Sequence, residues 1–304
     1  MIARDDPALG APPLAVASVG VGRFAARHRR RALPLRLKLG SGAVVLLGLV
    51  AAFVPPIFRL NPLTMDATAI LQGPTWHYPF GTDDYGRNLL ARVVFGLRTS
   101  FEIGLCTTAL TGCVGLLIAV VVLRIRGVRT VVLRLLDALM ALPAVVVALA
   151  LVTLIGPGFL DVVIVESLFF VPWSTRMIRA SMMKVQTVAF VEAAVAQGAT
   201  TWRVIRRHIL PNAAGPIVVQ QVLIFGYAIL GEAVLSFLGV GITSPTASLG
   251  NLLAEAQPVM LQDPLFSVFP GVLIAILVLS VNLVADGVAE QLKVDRTSGI
   301  RPNA

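Results

Sequence analysis

Few side chains in this sequence could do chemistry, and those few are scattered. The histidines are His28, His77 and His208, and no His-Glu-x-x-His pair occurs that would seat a catalytic zinc on one helix face. No Gly-x-Ser-x-Gly turn is present to expose a nucleophilic serine. A phosphate-gripping loop needs Gly-Lys followed by Ser or Thr, but Lys38, Lys184 and Lys293 follow Leu, Met and Leu, so the chain has no ATP site of that kind. Asp83 and Asp84 are adjacent carboxylates with only His77 nearby, a poor ligand set for a cation. Capping and salt bridging are their expected roles, and no metal site or catalytic residue is expected. Cys106 and Cys113 lie about 10 Å apart along a helix, too far for a disulfide. What stands out instead is three carboxylates next to or inside apolar runs: Glu102, Glu166 and Glu232.

The elements that must position them are membrane spans. Hydrophobic residues make up 57% of the 304 and charged residues 13%, where a soluble domain carries about a quarter charged. The expected fold class is an all-α polytopic membrane protein. Six runs are long enough to cross a bilayer: 39–58, 103–123, 138–160 with Pro143 as a tolerated kink, about 158–177 interrupted by Glu166, 213–240, and 264–285. The third run ends beside Asp161, and the fourth ends at Trp173 and Arg176, an aromatic belt followed by basic charge. Residues 1–38 form a basic tail, with Arg27, His28, Arg29, Arg30 and Arg31 clustered before the first span. The uncharged run that follows is a full span, longer than the apolar core of a signal peptide. Residues 59–100 are polar and rich in Pro and Gly, an expected extracytoplasmic loop with short helices; 286–304 is an expected C-terminal tail.

Six crossings starting inside return both termini to the cytoplasm. Of the 25 Lys and Arg residues, all but Arg59, Arg87, Arg92 and Arg98 then fall on the inner side, as the positive-inside rule requires. The net charge of +9 is therefore orientation rather than a nucleic-acid footprint.

One polar stretch between spans keeps an ordered pattern. In the elbow 186–212, Ala193, Ala194 and Ala196 favour helix, and Gly198 supplies a left-handed helix end. Thr200 can cap a second short helix, and Pro211 is expected to stop it. Trp202, Ile205 and Ile209 are expected to share one face, with Arg203 and Arg207 pointing elsewhere. Glu192 is expected either to pair with Arg203 or Arg206, to accept bonds from the elbow's own amides, or to meet another protein. By pattern alone such a helix–Gly–helix unit either docks into a protein or lies on lipid headgroups.

Glu192-Ala193-Ala194, then Gly198, then His208-Ile209-Leu210-Pro211 resembles the EAA loop of ABC-importer permeases. His208 stands where Ile is usual, which is similar to the dipeptide, oligopeptide and nickel branch. Gly81-Thr82-Asp83-Asp84-Tyr85-Gly86-Arg87-Asn88 is similar to that branch's Gly-Thr-Asp-x-x-Gly-Arg-Asp, with Asn88 for Asp. Glu232-Ala233-Val234-Leu235-Ser236-Phe237-Leu238-Gly239 and Pro245-Thr246-Ala247-Ser248-Leu249-Gly250-Asn251 also fit, with Leu249 for Trp. The likeness spans roughly residues 35–292.

The resemblance implies a type I ABC-importer permease fold and the second, C-type, of two paired permeases in a bacterial inner membrane. It implies the partners too: a homologous permease, one or two ATP-binding cassette subunits that hold ATP and Mg, and an extracytoplasmic substrate-binding protein. This chain itself would need no cofactor. Glu192, Ala193, Gly198, Trp202, Ile205, His208 and Pro211 would couple to the ATPase. Cargo would be di- or oligopeptide, with nickel chelates or opines as alternatives within the family. A secondary transporter driven by an ion gradient is the alternative of another class, but no internal repeat supports it.

For the path itself, Glu102, Glu166, Gln221 and Glu232 are the candidates. Helix rise places Glu166 about 10 Å into its span and Glu232 about 28 Å along its own, so topology puts the three carboxylates on the outer side. A carboxylate at that depth must face protein or water. Either the three form one acidic vestibule for a peptide's ammonium end, or each is neutralised separately, Glu102 by Arg98 and the others by amides or protonation.

Overall fold

The computed structural model describes residues 33–297, with the side chains of Arg126 and of 293–297 left aside; the basic cluster at 23–31 lies outside the described residues. Helices are α1 (Leu35–Ile57), α2 (Leu89–Arg124), α3 (Arg126–Ala141), α4 (Ala144–Ile155), α5 (Phe159–Gln186), α6 (Ala189–Ala196), α7 (Thr201–Val204), α8 (Leu210–Phe237), α9 (Leu249–Ala256) and α10 (Leu265–Thr297). A π-turn, Ile205–Ile209, joins α7 to α8, and a 3₁₀ turn, Gln257–Val259, follows α9. Among the described residues the β content is two isolated bridges, Met65 with Arg87 and Thr82 with Asn88. The fold is all-α.

By length and composition α1, α2, α7–α8 taken together, and α10 can each cross a membrane, and the α3–α4 pair adds a fifth candidate. The 28 residues of α5 are long enough, about 42 Å, but Asp161, Glu166, Arg176, Arg179 and Lys184 dilute their apolar character.

Three expectations about the elements need correction. The second long helix begins at Leu89, not near 103, because the Asn88 side chain accepts a bond from the Ala91 amide at 3.3 Å and caps it. Arg92 does not prevent this because it is buried against carboxylates. The third run is not a kinked rod: Gly127–Ala141 and Ala144–Ile155 meet at 92°. Proline at 143 has no amide hydrogen and forces its predecessor out of helix; Leu142 sits at φ −81°, ψ 142°. The remaining α4 is 12 residues, about 18 Å, well short of a 30 Å hydrocarbon core. At the C-terminal end, α10 continues past Asp286 to Thr297, so the stretch from 286 starts as helix rather than tail.

In lipid there is no hydrophobic drive between helices, so association rests on close packing and polar bonds. Two packed regions matter for function. At one end, Ala119, Ile178, Met182, Val191, Val204, Ile205, Ile209 and Ala213 join the elbow to α2 and α5. At the other, Leu89, Val93, Leu252, Ala256 and Phe266 hold the 58–88 loop and α9 over α2 and α10, with Phe80 stacked on Phe269 at 4.0 Å.

Candidate functional site

The elbow is built by a helix end that only glycine suits. Gly198 has φ +82°; its amide bonds to the Val195 carbonyl at 2.9 Å and the Ala199 amide to Ala194 at 3.1 Å. These two bonds form the Schellman arrangement that terminates α6. A Cβ there would meet nothing within 4 Å, so the requirement is conformational and not one of space. Thr200 occupies the N-cap position of α7 with extended backbone, but its side chain makes no capping bond.

Pro211 does not stop the second helix. The backbone widens into the π-turn one residue earlier, with the Leu210 amide reaching the Ile205 carbonyl. The i→i+5 geometry carries the chain past a proline that would otherwise clash with the carbonyl four residues before it. The same turn shifts the register of side chains. Val204, Ile205 and Ile209 are the buried face, whereas Trp202 is 52% exposed and does not share it. Ile205 therefore anchors the elbow and is not on its surface.

The outward surface carries Phe190, Glu192, Ala193, Val195, Trp202, Arg203, Arg206 and Pro211, with His208 half-buried and its ring 6.4 Å from that of Phe190. Among the described residues Glu192 makes no ion pair or side-chain hydrogen bond, so the expected pairing with Arg203 or Arg206 is absent. It borders a cavity of ≈ 470 Å³ with Gln186, Val195 and Thr201 on its rim. Exposed aromatic and arginine side chains on a rigid, packed support are the composition of a protein-binding patch.

The path candidates do not come together. Glu102 is half-exposed and pairs with Arg98 at 2.8 Å. Glu232 is fully buried: the Ser100 hydroxyl donates to one carboxylate oxygen at 2.6 Å and the Ser236 hydroxyl to the other at 2.7 Å. Those hydroxyls in turn accept from the Leu249 amide (3.2 Å) and the Ile242 amide (2.8 Å). Glu232 is thus the centre of a polar knot pinning the 238–249 loop to α2 and α8. Gln221 donates to the Ser174 hydroxyl at 2.9 Å, bridging α8 to α5. A single vestibule lined by all three carboxylates is not what the fold builds.

Of the four path candidates, Glu166 borders the groove of ≈ 610 Å³, while Glu102 and Gln221 line smaller cavities of ≈ 290 and ≈ 340 Å³. On α5, Glu166, Phe169, Phe170 and Trp173 follow i, i+3, i+4, i+7 spacing, and on α8 Tyr227, Leu230, Gly231 and Val234 do the same, so two helix stripes face each other. Val145 and Ala148 of α4 and the Leu139–Leu142 corner close the space, ≈ 610 Å³ in volume. Trp173 meets Tyr227 edge-on at 5.5 Å. Trp173, expected as an aromatic belt, lines this groove; sequence reasoning singled out neither stripe, although the i, i+3, i+4, i+7 spacing of each was a signal that could have found them.

At the loop end, the adjacent carboxylates form an ion network. Asp83 is fully buried and accepts from the Arg87 amide (2.8 Å), Arg87 Nε (2.6 Å) and Arg92 Nη1 (2.9 Å). Arg92 Nη2 reaches Glu255 Oε1 at 3.1 Å, and Arg87 reaches Glu255 at 3.3 Å. Burial, with Asp83 and Glu255 adding like charge, raises the Asp84 carboxyl above its ordinary value. Asp83, Asp84 and Glu255 do present oxygens within 4.8 Å of one another. Two guanidinium groups already occupy that space, so the cluster is a salt-bridge lock between loop, α2 and α9. Glu255 carried no signal in the sequence, because its partners lie more than 160 residues away.

The sequence model of a family described as "Binding-protein-dependent transport system inner membrane component" matches residues 112–294. A Brucella suis protein named as a peptide transport system permease is 35% identical over 284 residues, covering 93% of this chain and 96% of its own. The dipeptide transport system permease protein DppC of Alkalihalophilus pseudofirmus is 34% identical, covering 80% and 81%. Among solved structures, an amino acid ABC transporter superposes with a TM-score of 0.53 at 18% identity, over 65% of this chain and 92% of that one. The methionine transporter MetNI, facing inward, gives 0.51 at 19%, over 67% and 95%. A groove between helix stripes, an elbow with an exposed tip and a match across most of the chain converge: this protein belongs to the binding-protein-dependent transport system inner membrane component family, as a multi-pass permease of a bacterial ABC transport system.

Proposed function

We propose that this chain is one half of the membrane passage of an ATP-driven peptide importer. It crosses the membrane six times, with α3–α4 as one broken crossing and both termini in the cytoplasm. A second, homologous permease completes the passage. One or two ATPase subunits hold ATP and Mg, an extracytoplasmic binding protein delivers cargo, and the chain contributes no ATPase chemistry or cofactor of its own. No nucleic acid is involved.

The observation that carries this reading is the elbow: Phe190, Glu192, Trp202, Arg203 and Arg206 are exposed at the tip of a unit whose other face is packed onto α2 and α5. A rigid body of this kind transmits a movement of its partner to α5 and α8, the helices that face the groove. Peptide is the cargo named for the relatives that match over most of their length.

The test is uptake of dialanine by cells expressing the importer. Depleting ATP should abolish uptake and dissipating ion gradients at constant ATP should leave it; the reverse pattern overturns the reading. A cysteine at Trp202 should cross-link to the ATPase in the assembled complex, and failure across several ATPase positions would remove the docking role.

A further inference from the structure

We propose that Glu166 and the aromatic walls around it form a subsite for a primary ammonium group, filled during transport by the amino end of a peptide. The inference rests on the permease reading and adds the residue that meets the cargo.

Glu166 is 4% exposed. One carboxylate oxygen accepts a single long bond from the Thr107 hydroxyl, 3.3 Å. The other, Oε1, is buried without a hydrogen-bond partner among the described residues and lies against Gly231 of the groove wall, where a Cβ would come within 2.6 Å of it. Glycine at 231 thus leaves the oxygen its room. Among the described residues no Lys, Arg or His lines the groove, so none of them supplies a cation for this carboxylate there. An orphaned polar atom in a buried site calls for a ligand donor, and a carboxylate calls for a positive one.

The surroundings suit an organic ammonium. Phe169, Phe170, Trp173 and Tyr227 border the same space, and aromatic faces attract ammonium groups. The volume of ≈ 610 Å³ is in the usual range for a small-ligand pocket. Glu232 offers the contrast: both its oxygens are engaged by serine hydroxyls, so it has nothing to give a ligand.

A peptide amino end and a phosphatidylethanolamine headgroup share this chemistry, so the experiment separates them. The assembled importer carries Val145→Cys on the groove wall with Cys106→Ser and Cys113→Ser, in phosphatidylcholine vesicles. The rate of thiol modification by methyl methanethiosulfonate is followed against added peptide. Dialanine should slow modification about five-fold and N-acetyl-dialanine should not. Glu166→Gln should remove the protection. Trp173→Leu, which keeps the carboxylate, should require about three-fold more dialanine, the loss of one cation–π contact.

Equal protection by both peptides, no protection by dialanine, or protection unchanged in Glu166→Gln each overturns the subsite. So does protection by phosphatidylethanolamine in place of dialanine. If Glu166→Gln fails to assemble, the N-acetyl comparison and Trp173→Leu still decide. An importer that moves dialanine with ATP but shows no protection loses only the subsite, whereas one that moves no peptide loses the peptide-importer reading as well.

Discussion

Two buried carboxylates, Glu166 on α5 and Glu232 on α8, live in opposite surroundings. Both oxygens of Glu232 are engaged by Ser100 and Ser236, and at the loop end Asp83, Arg87, Arg92 and Glu255 pair with one another. Beside the groove, Glu166 has one oxygen without a hydrogen-bond partner among the described residues. The first region spends its polar groups on holding loop, α2, α8 and α9 together. The second keeps one in reserve. A carboxylate whose oxygens are both engaged is explained by the structure it holds, and one with an unpartnered oxygen calls for an explanation of its own.

The comparison can be broken most forcefully at Arg92. Arg92→Ala leaves the buried Asp83 and half-buried Glu255 carboxylates with Arg87 as their one remaining guanidinium, and removing one partner of a buried pair costs up to about 3–5 kcal/mol. Thermal unfolding of the detergent-solubilised protein should show a large fall in midpoint, with the 58–88 loop opened to protease. An unchanged midpoint would mean that the network is not the lock described.

Next comes Glu232→Ala, which leaves two hydroxyl donors without their acceptor. Bonds to a charged group are worth about 1.5–3 kcal/mol each, less what the serines recover between themselves. A loss of roughly 2–4 kcal/mol is expected on that basis, together with mobility in the 238–249 loop by hydrogen exchange. Glu232→Gln should recover part of it, since one amide oxygen still accepts.

Gly198→Val tests the elbow at a third place. A side chain in the left-handed region costs about 1–2 kcal/mol, too little to unfold the chain but enough to distort the α6–α7 angle. The protein should insert and assemble, while substrate-stimulated ATP hydrolysis falls. Normal stimulation would sink the coupling role of this turn.

Glu166→Gln should sharpen the contrast by doing little to stability, within about 1 kcal/mol, because a single long hydrogen bond is at stake. Its effect should appear in transport. The smallest effect belongs to Glu102→Gln: an exposed pair with Arg98 is worth about 0–1 kcal/mol, and neither unfolding nor uptake should change measurably. A stability loss for Glu166→Gln as large as that for Glu232→Ala would erase the distinction between the two regions.

Much of the local architecture was legible. Apolar run length located the long helices, Gly198 announced the end of α6, and Ala193 and its neighbours its body. These features are local: a missing Cβ or a run of apolar side chains acts within one or two turns. The elbow's second half was less legible: a π-turn changes the residue count per turn from Ile205 onward, and Trp202 is exposed, off the face that Ile205 and Ile209 share. Proline was ambiguous for the same reason. Its lost hydrogen bond is certain, but whether the chain breaks by 92° as at Pro143 or passes on as at Pro211 depends on what packs around it.

Sequence by itself determined that the chain is a helical membrane protein with an elbow whose first helix ends at a glycine, because those follow from solvent transfer and backbone conformation residue by residue. The tertiary structure alone decided which carboxylate does what. Glu102, Glu166 and Glu232 are the same residue in similar runs, and their fates were set by distant partners: Arg98 one turn away, Thr107 and an open groove for Glu166, Ser100 from 132 residues off for Glu232. Glu255 entered the lock from across the chain in the same way. The electrostatics of a buried group depends on what surrounds it within a few ångströms, and that neighbourhood exists only once the helices have packed.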